Sequence, residues 1–377
     1  MVSGVIAEFN IFHNGHKYLV DEAKKQSDAV VSVMSGSFVQ RGDTAIADKW
    51  SRARAALMCG VDLVLELPVC YALNAAPDFA AGGVNTLASL GIIDTLVFGS
   101  ESGDIDVLSE AAHKADGDNE TVKRLMADGL SYPAALGRAC GDIFQGSNNI
   151  LAVEYIRAIN NYGADMKPVT IKRQGVAHDD DNTSGKFASA SKIREMIFNN
   201  EDISQYIPYP LSEIGSQPYL LSRLDSAFAA KLRTMSADEL ALISEVSEGL
   251  ENRILSAARE CDTFTGIAEA VKSKRYTMSK IRRILIAALL GFDKDIYSPE
   301  PEYIRILGMN RRGAEILKKA KKNCSVPVIT KAADYRETSK MFELDLRATD
   351  IAALCSPDVN MRKGGLDFKS SPVIWEV

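Results

Sequence analysis

The first hundred residues alternate short apolar runs with longer stretches in which apolar positions recur every three or four residues. The apolar runs predict buried strands over Val2–Ile6, Ala29–Met34, Asp62–Leu67 and Thr95–Phe98. The stretches between them predict helices over Lys17–Lys25, Lys49–Cys59 and Asp78–Leu90. Because strands that alternate with helices of about ten to fifteen residues form βαβ units, this pattern predicts an α/β fold with a parallel sheet and helices on both faces.

The pattern changes after residue 100. Residues 104–160 have helical spacing, Pro168–Lys172 predicts a fifth strand, and the polar stretch 174–187 predicts a mobile loop. The string SASKIREMIF, which begins at Ser189, then predicts a helix with a serine at its N-cap. The first two hundred residues therefore contain the elements of one complete α/β unit.

Prolines between residues 208 and 218 favour a domain boundary. Beyond them the chain has mostly helical spacing to about residue 322, followed by a short strand over 326–330, another helix and a glycine-rich tail. We therefore predict a catalytic α/β domain over residues 1–205 and a mainly helical region over 220–377.

Charge is distributed unevenly along the chain. Residues 272–331 contain 15 Lys and Arg against 5 Asp and Glu, a local charge of +10, whereas the whole chain carries −6. A basic segment on an acidic body is typical of an enzyme that binds a polyanion. The alternative is a helical surface that is simply solvated.

Composition excludes several classes of protein. No apolar stretch approaches the roughly 20 residues that span a bilayer, and the first residues lack the basic and apolar regions of a signal peptide. The six cysteines form no CxxC pair, which argues against a zinc site and a disulfide framework. We predict a cytoplasmic protein with no membrane partner; the sequence leaves a homo-oligomer open.

Two of the four histidines, His13 and His16, flank Asn14-Gly15 between the first strand and the first helix. A helix N-terminus favours an anion, and two imidazoles there could donate hydrogen bonds to phosphate oxygens as charge develops during nucleotidyl transfer. Gly15 would let the backbone approach a nucleotide closely. A histidine pair of this kind is by itself more often structural, so the surrounding sequence decides.

The signature His13-Asn14-Gly15-His16, together with Ser189-Ala-Ser-Lys-Ile-Arg194, resembles the HxGH nucleotidyltransferase superfamily of pantetheine-phosphate and nicotinate-mononucleotide adenylyltransferases. Within that superfamily the chain is similar to the bacterial tRNA(Met) cytidine acetate ligases. The strings that carry this resemblance occur in the expected order and are AEFNIFHNGHKY, MSGSFVQRGDTAIADKW, GVDLVLELP, FGSE, NNIL and SASKIR. The resemblance is strong over residues 2–200 and weaker in RRILIAALLG, EYIRILGMNRRG and VPVITK.

The resemblance implies a Rossmann-like enzyme that adenylates acetate with ATP and then acetylates N4 of the wobble cytidine of elongator tRNA(Met). His13 and His16 would be its catalytic residues. Mg²⁺ would be carried on the nucleotide phosphates, and we predict no protein metal ligand. The positions that the resemblance assigns to ATP binding are Ala7, Glu8, Phe9, Asn10, Phe12, His13, Asn14, Gly15, His16, Gly99, Asn148, Asn149, Arg173, Gln174, Ser189, Ser191 and Arg194.

Two further groups of residues are candidates for the other substrates. The residues that follow the second strand are candidates for the acetate and cytidine end, namely Ser35, Gly36, Ser37, Gln40 and Arg41. The residues predicted to contact tRNA phosphates are Lys280, Arg282, Arg283, Arg311, Arg312, Lys318 and Lys319.

Two other functions remain open at this stage. A small-molecule adenylyltransferase would use the same histidine loop, but it has no need for a basic segment of this size. A noncatalytic RNA-binding protein on a relict nucleotide fold predicts a damaged phosphate site, whereas HNGH and SASKIR are both intact.

Overall fold

The computed structural model describes residues 1–174, 185–215, 217–247 and 249–376. The mobile loop predicted over 174–187 lies largely outside these residues. The strands of the described residues are β1 (Val2–Ala7), β2 (Ala29–Ser35), β3 (Phe38–Val39), β4 (Asp43–Thr44), β5 (Leu63–Leu67), β6 (Thr95–Ser100), β7 (Lys167–Lys172), β8 (Ile304–Asn310), β9 (Val328–Ile329) and β10 (Val373–Trp375).

Helices connect and cover these strands. Those before the predicted domain boundary are α1 (Asn14–Lys25), α2 (Lys49–Met58), α3 (Val69–Ala72), α4 (Ala76–Ala88), α5 (Ile105–Gly117), α6 (Asn119–Ala127), α7 (Tyr132–Cys140), α8 (Ser147–Tyr162) and α9 (Ala190–Phe198). Those after it are α10 (Asp225–Thr234), α11 (Ala237–Ala241), α12 (Leu250–Glu260), α13 (Phe264–Val271), α14 (Met278–Leu290), α15 (Arg311–Ala320), α16 (Lys340–Ala353) and α17 (Leu366–Lys369).

An 8-stranded sheet forms the centre of the molecule, with strand order β10-β8-β5-β2-β1-β6-β7 and β9 paired with β8. The five strands from β5 to β7 in this order are all parallel, as the βαβ pattern predicts. Every residue of β2 and β5 is buried, which explains their continuous apolar runs. The predicted α/β fold with a parallel sheet is confirmed.

The sheet also contains strands from the C-terminal part of the chain. β8 pairs antiparallel with β5, and β9 and β10 pair with β8. The expectation of helix up to about residue 322 is therefore wrong at Ile304–Asn310, whose apolar residues are buried on the sheet. The strand predicted over 326–330 is confirmed as β9. The domain boundary near residues 208–218 stays a prediction, since later strands complete the sheet of the earlier segment.

A buried ionic cluster joins the two segments beside β5 and β8. Lys49 is 1% exposed and its Nζ lies 2.8 Å from Glu66 Oε1 and 2.9 Å from Asp367 Oδ1. Arg305 contacts the same Asp367 oxygen at 2.8 Å. Asp345 accepts hydrogen bonds from the Val69 N–H and the Tyr303 hydroxyl. Because a buried charge is costly without partners, this cluster fixes α2, β5, β8 and α17 together.

Candidate active site

The histidine loop runs from β1 into α1. The side chain of each histidine accepts a hydrogen bond from a backbone N–H at the start of α1. His13 is the N-cap of α1, and its Nδ1 accepts a hydrogen bond of 3.0 Å from the Gly15 N–H. His16 Nδ1 accepts one of 3.3 Å from the His13 N–H. The two histidines thus form a reciprocal capping box, a role usually taken by Ser or Thr with Glu or Gln.

This cap determines the protonation of both rings. Since each Nδ1 accepts a hydrogen bond, a neutral imidazole carries its proton on Nε2. The rings are stacked with centroids 3.9 Å apart, and two positive charges at that distance would repel each other. In the neutral tautomer each ring therefore carries an Nε2–H donor on the atom opposite the one that caps the helix.

The end of α1 differs from the open anion site that the sequence suggested. The Asn14 N–H is bonded to the Tyr206 carbonyl at 2.9 Å, so the N–H groups of His13, Asn14 and Gly15 all have protein partners. The predicted close approach of Gly15 to a nucleotide stays a prediction, and the structure adds a second role for this residue. A Cβ built on it would lie 2.8 Å from His13 Cε1, so Gly15 makes room for the His13 ring.

A cleft of about 740 Å³ opens at the carboxyl ends of β1, β6 and β7, where parallel α/β sheets bind ligands. The predicted ATP-binding residues that line it are Ala7, Glu8, Phe9, Asn10, His13, Gly15, His16, Gly99, Asn148, Arg173, Gln174 and Ser189. Residues that are far apart in the chain are thus brought to one cavity.

Five predicted ATP-binding residues do not line this cleft. Phe12 is 1% exposed and packs in the core. The Asn14 side chain donates to the carbonyls of Lys186 and Gln205, both at 2.8 Å. The other three are Asn149, Ser191 and Arg194, and each bonds to a neighbouring part of the protein.

Arg194 and Ser191 lie under the histidine loop. Arg194 Nη1 donates to the Asn10 carbonyl, and Nη2 donates to Ser191 Oγ at 3.2 Å. Burial lowers the pKa of Arg194, but the neighbouring Glu8 carboxylate opposes that change. Ser189 caps α9 by accepting from the Lys192 N–H at 3.1 Å. The predicted serine cap is confirmed.

The two asparagines at the start of α8 bond to the loop after β6. Glu101 accepts hydrogen bonds from both backbone N–H groups, at 3.2 Å from Asn148 and 2.6 Å from Asn149. Asn149 Oδ1 accepts in return from the N–H groups of Glu101 and Ser102. Arg173 Nη1 donates to Asn148 Oδ1 at 3.0 Å. Asn149 and Glu101 thus hold α8 in place, while Asn148 and Arg173 face the cleft.

Glu8 lies five residues before His13, and it is half-buried just after the end of β1. Its Oε1 accepts a hydrogen bond of 2.8 Å from the Gln40 N–H. Burial raises the pKa of Glu8, whereas the Gln40 N–H and the guanidinium groups of Arg194, Arg41 and Arg52 act in the opposite direction. Three guanidinium groups therefore act electrostatically on this carboxylate and favour its charged form.

Arg52 is a residue that sequence analysis missed. It is 1% exposed, and burial lowers its pKa to about 10. Within the described residues, its guanidinium donates to backbone carbonyls alone, which belong to Glu8, Ser35, Gly36 and Ala47. Arg52 therefore joins the loops that follow β1 and β2. The helical spacing of its segment predicted a helix but gave no signal for this contact.

The candidates for the acetate and cytidine end separate into two groups. Ser35, Gly36 and Ser37 are buried behind the cleft, and a Cβ on Gly36 would lie 2.3 Å from Glu66 Oε1. Gln40 and Arg41 line the cleft. The order of residues along the loop predicted proximity for all five, but only the turn of the β3–β4 hairpin reaches the cavity.

The predicted tRNA contacts form two groups, which lie at opposite ends of the parallel strands. Lys280, Arg282 and Arg283 are on α14, near the cleft, and Lys280 and Arg283 line it. Arg282 and Arg283 are in ion pairs with Asp43 and Glu245, each with a shortest distance of 2.6 Å.

The other cations are on α15. Arg312 Nη1 donates to the carbonyl of Asp28, which precedes β2, so this end of α15 lies at the amino ends of the parallel strands. Arg311, Lys318 and Lys319 are exposed on the same helix. One basic segment of sequence thus supplies two separate surfaces.

Two further features concern membranes and metals in the described part of the chain. No helix there is both long enough and apolar enough to cross a membrane. Among the same residues, no group of three or more His, Cys, Asp or Glu side chains could hold a metal ion.

The fold and the paired histidines at the carboxyl end of β1 define a nucleotidyltransferase class, and comparison with known proteins agrees. The family model described as HIGH Nucleotidyl Transferase matches residues 1–367. Two curated relatives are tRNA(Met) cytidine acetate ligases. That of Thermoanaerobacter sp. (strain X514) is 40% identical over 97% of this chain and 98% of its own length. That of Syntrophomonas wolfei is 37% identical over 99% of both chains.

Solved structures give the same result. The crystal structure of Thermotoga maritima TmcAL bound with alpha-thio ATP matches with a TM-score of 0.90 and 32% identity, covering 100% of both chains. The apo form of the same protein matches with a TM-score of 0.91. This chain belongs to the tRNA(Met) cytidine acetate ligases of the HIGH nucleotidyl transferase family, which confirms the resemblance found in the sequence.

Proposed function

We propose that this chain uses ATP to activate acetate and transfers the acetyl group to N4 of the wobble cytidine of elongator tRNA(Met). The observation that carries this proposal is the cleft of about 740 Å³ with the capped histidine pair at its floor, in a chain matched over nearly its whole length by ligases of that name. The small-molecule adenylyltransferase alternative has no support from these relatives.

The first step forms acetyl-adenylate. An acetate oxygen attacks the α-phosphorus of ATP, the bond from that phosphorus to the bridging oxygen breaks, and pyrophosphate leaves. Negative charge grows on the phosphate oxygens during this step, and groups already oriented toward that charge lower the barrier. The Nε2–H groups of His13 and His16 are oriented by the cap, so they would stabilise the α-phosphate and the departing pyrophosphate.

Other residues of the cleft would bind the nucleotide. Ser189 and the start of α9 suit the outer phosphates, because hydroxyl and N–H donors bind anions. Gly99 lines the cleft, and a Cβ there would meet Arg173 Cγ at 3.3 Å, so the absence of a side chain leaves room beside Arg173. Asn148 and Arg173 lie beside it and would contact the adenosine. Glu8, Asn10 and the backbone of Ala7 form the floor.

Mg²⁺ would enter on the phosphates of ATP. The magnesium ion retains several waters and usually takes few protein ligands when it accompanies a nucleotide. Two carboxylates line the cleft, and both interact with arginines: Glu8 with Arg194, Arg41 and Arg52, and Glu245 with Arg283. These cations disfavour a metal ion at either carboxylate. The donor set therefore suits a metal held mainly by phosphate oxygens.

In the second step the N4 amine of the cytidine attacks the acetyl carbonyl carbon. The carbon–oxygen bond to the phosphate breaks, AMP leaves, and the nitrogen loses one proton. The acceptor base must reach the same cleft. Arg275 and Tyr276, which precede α14, and Lys280 in its first turn also line it. The basic residues there would bring the anticodon phosphates to that wall.

The test uses the purified protein with ATP, Mg²⁺, acetate and unmodified tRNA(Met). After digestion of the tRNA, mass spectrometry measures N4-acetylcytidine. We expect acetylcytidine only when both ATP and acetate are present. Unmodified tRNA with continued cleavage of ATP to AMP and pyrophosphate would contradict the proposed acceptor and direct the search to small molecules.

A further inference from the structure

The β3–β4 hairpin places a turn between the histidine loop and α14. Its strands are Phe38–Val39 and Asp43–Thr44, and its turn is Gln40-Arg41-Gly42. On the side of the cleft, the Gln40 N–H donates to Glu8 Oε1 at 2.8 Å. The turn is therefore attached directly to the end of β1.

On its other side the turn is held by two arginines of α14. Arg282 Nε donates to the Gly42 carbonyl at 2.8 Å, and its Nη2 bonds Asp43 Oδ2 at 2.6 Å. Arg283 Nη1 donates to the Gln40 carbonyl at 3.1 Å. Both arginines thus use part of their guanidinium for carbonyls of the same turn.

Arg283 is fixed in turn by Glu245. Two hydrogen bonds join its guanidinium to the carboxylate, at 2.6 and 2.7 Å, and Arg283 is 8% exposed. Gly42 has a φ of +72°, and a Cβ on it would lie 2.7 Å from the Arg283 backbone nitrogen. The turn therefore packs against α14 so closely that there is no room for a side chain on Gly42.

This packing places Arg41 at the cleft. Arg41 is at the centre of the turn and lines the cleft together with Gln40, Glu8 and the histidines. In the proposed first step, acetate and the α-phosphate are both anions that must come within bonding distance. A guanidinium beside them offsets their repulsion and matches a carboxylate with two parallel donors.

We infer that Arg282 and Arg283 are positioning residues for acetate activation, which hold the hairpin so that Arg41 binds the acetate carboxylate. This inference rests on the proposed function. It differs from the role that the sequence suggested, because phosphate contact needs a guanidinium directed to solvent, whereas these two are directed to the hairpin.

Opposite changes of charge distinguish the two roles. Arg283→Gln removes a positive charge, and Glu245→Gln removes a negative charge from the same pair. If Arg283 positions the hairpin, both variants weaken acetate activation by raising the KM for acetate. If Arg283 binds tRNA phosphates, Arg283→Gln weakens tRNA binding, whereas Glu245→Gln leaves activation intact.

The measurement is acetate-dependent exchange of pyrophosphate into ATP, without tRNA, at varied acetate and varied ATP. We expect both variants to raise the KM for acetate by about tenfold or more and to leave the KM for ATP within about twofold. Arg41→Gln should raise the KM for acetate at least as much. A partly unfolded variant would lower only the maximal rate, so a change in the acetate KM reports positioning.

Arg347→Gln is the matched control. Arg347 Nη1 donates to the Leu290 carbonyl at 2.6 Å, so it is an arginine bonded to a backbone carbonyl at the other end of α14. Its removal should leave both KM values unchanged. An unchanged acetate KM in both Arg283→Gln and Glu245→Gln, with active wild type, would overturn the positioning role alone. No exchange in the wild type would overturn the proposed function and this inference with it.

Discussion

His13 has two functions on two nitrogen atoms. Nδ1 caps α1 by accepting from the Gly15 N–H at 3.0 Å, and Nε2 carries the proton that we assign to phosphate binding. The sequence predicted the second function but not the first, because an HxGH string shows which residues are present and not which atom of each is occupied. The two functions can be separated by substitution.

Asparagine is a good N-cap residue but has no donor at the position of Nε2. We expect His13→Asn to retain stability and to lower the maximal rate of acetate-dependent exchange by about 10²- to 10³-fold. His13→Ala should lose the same activity and also about 1 kcal/mol of stability. Urea unfolding monitored by circular dichroism, beside the exchange assay, measures both. Equal unfolding midpoints for the two variants would contradict the capping role.

Asp345 is a second residue whose environment was not evident from the sequence. Burial, together with the nearby Glu66 carboxylate, raises its pKa to about 8, although Lys49, Tyr303 and the Val69 N–H act in the opposite direction. The side chain is therefore protonated at neutral pH in the folded protein, whereas in the unfolded chain it is ionised above about pH 4.

A raised pKa has a defined effect on stability. Between about pH 4 and 8 the folded state holds a proton that the unfolded state has lost, so rising pH favours unfolding. Relative to Asp345→Asn, we expect the wild type to lose about 1 kcal/mol of unfolding free energy per pH unit between about pH 5 and 8, and nothing below about pH 4. Denaturant unfolding of both proteins across this range measures the difference, and a constant difference would contradict the raised pKa.

At the scale of elements, strands and helices of the first two hundred residues followed from the apolar pattern. The signal was strong because β2 and β5 are buried on both faces and are bounded by turn residues. β8 was missed because its apolar run lies next to charged residues that continue a helical pattern. β10 has only three residues and forms through its partner β8, so no local pattern could show it.

The predicted site residues divide in the same way. His13, His16, Gly99 and Ser189 lie at strand ends and helix starts, whose positions the sheet fixes, and they line one cleft. The hydrogen bonds of Arg52 and Arg283 depend on carbonyls that are distant in sequence. Contacts of this kind are set by tertiary packing, and no spacing within one element could indicate them.

The ionic cluster of Lys49 joins α2 to β5 and α17. Replacing Lys49 by Met leaves Glu66 and Asp367 as buried carboxylates with one cation fewer between them. We expect Lys49→Met to destabilise the protein by about 3–5 kcal/mol, because an unpaired buried charge keeps its desolvation cost.

Thermal unfolding followed by calorimetry measures this loss. Lys25→Met is the matched control, since Lys25 pairs with Glu22 on the surface and is 69% exposed. It should leave the unfolding temperature nearly unchanged. If the two variants unfolded at the same temperature, the cluster would have no role in joining the elements.

At the scale of the whole molecule, the basic segment forms two surfaces, one at the carboxyl ends and one at the amino ends of the parallel strands. We predict that α15 binds tRNA phosphates through Arg311, Lys318 and Lys319, while the cleft takes the acceptor nucleotide. Changing these three residues to Gln should weaken tRNA binding and reduce the slope of log affinity against log salt by about 1 for each phosphate that is no longer neutralised.

Filter binding at several salt concentrations measures that slope. A matched triple substitution of exposed acidic residues on α5 and α6, at Asp106, Glu110 and Glu120 to Asn or Gln, changes as many charges of the opposite sign and should not reduce the slope. An unchanged slope in the α15 variant would contradict tRNA binding by α15. It would leave the surface at the carboxyl ends of the strands, beside the cleft, as the binding surface.

The pairing of Lys49 with both Glu66 and Asp367 also affects the order in which the molecule is completed during synthesis. The two earlier residues leave the ribosome about 300 residues before Asp367. At about 5–20 residues per second, they wait roughly 15–60 s for the carboxylate that completes their cluster. During that interval the sheet ends at β5, whose edge is open until β8 is made. The histidine loop, which follows β1, is therefore synthesised long before β8 pairs with the open edge of β5.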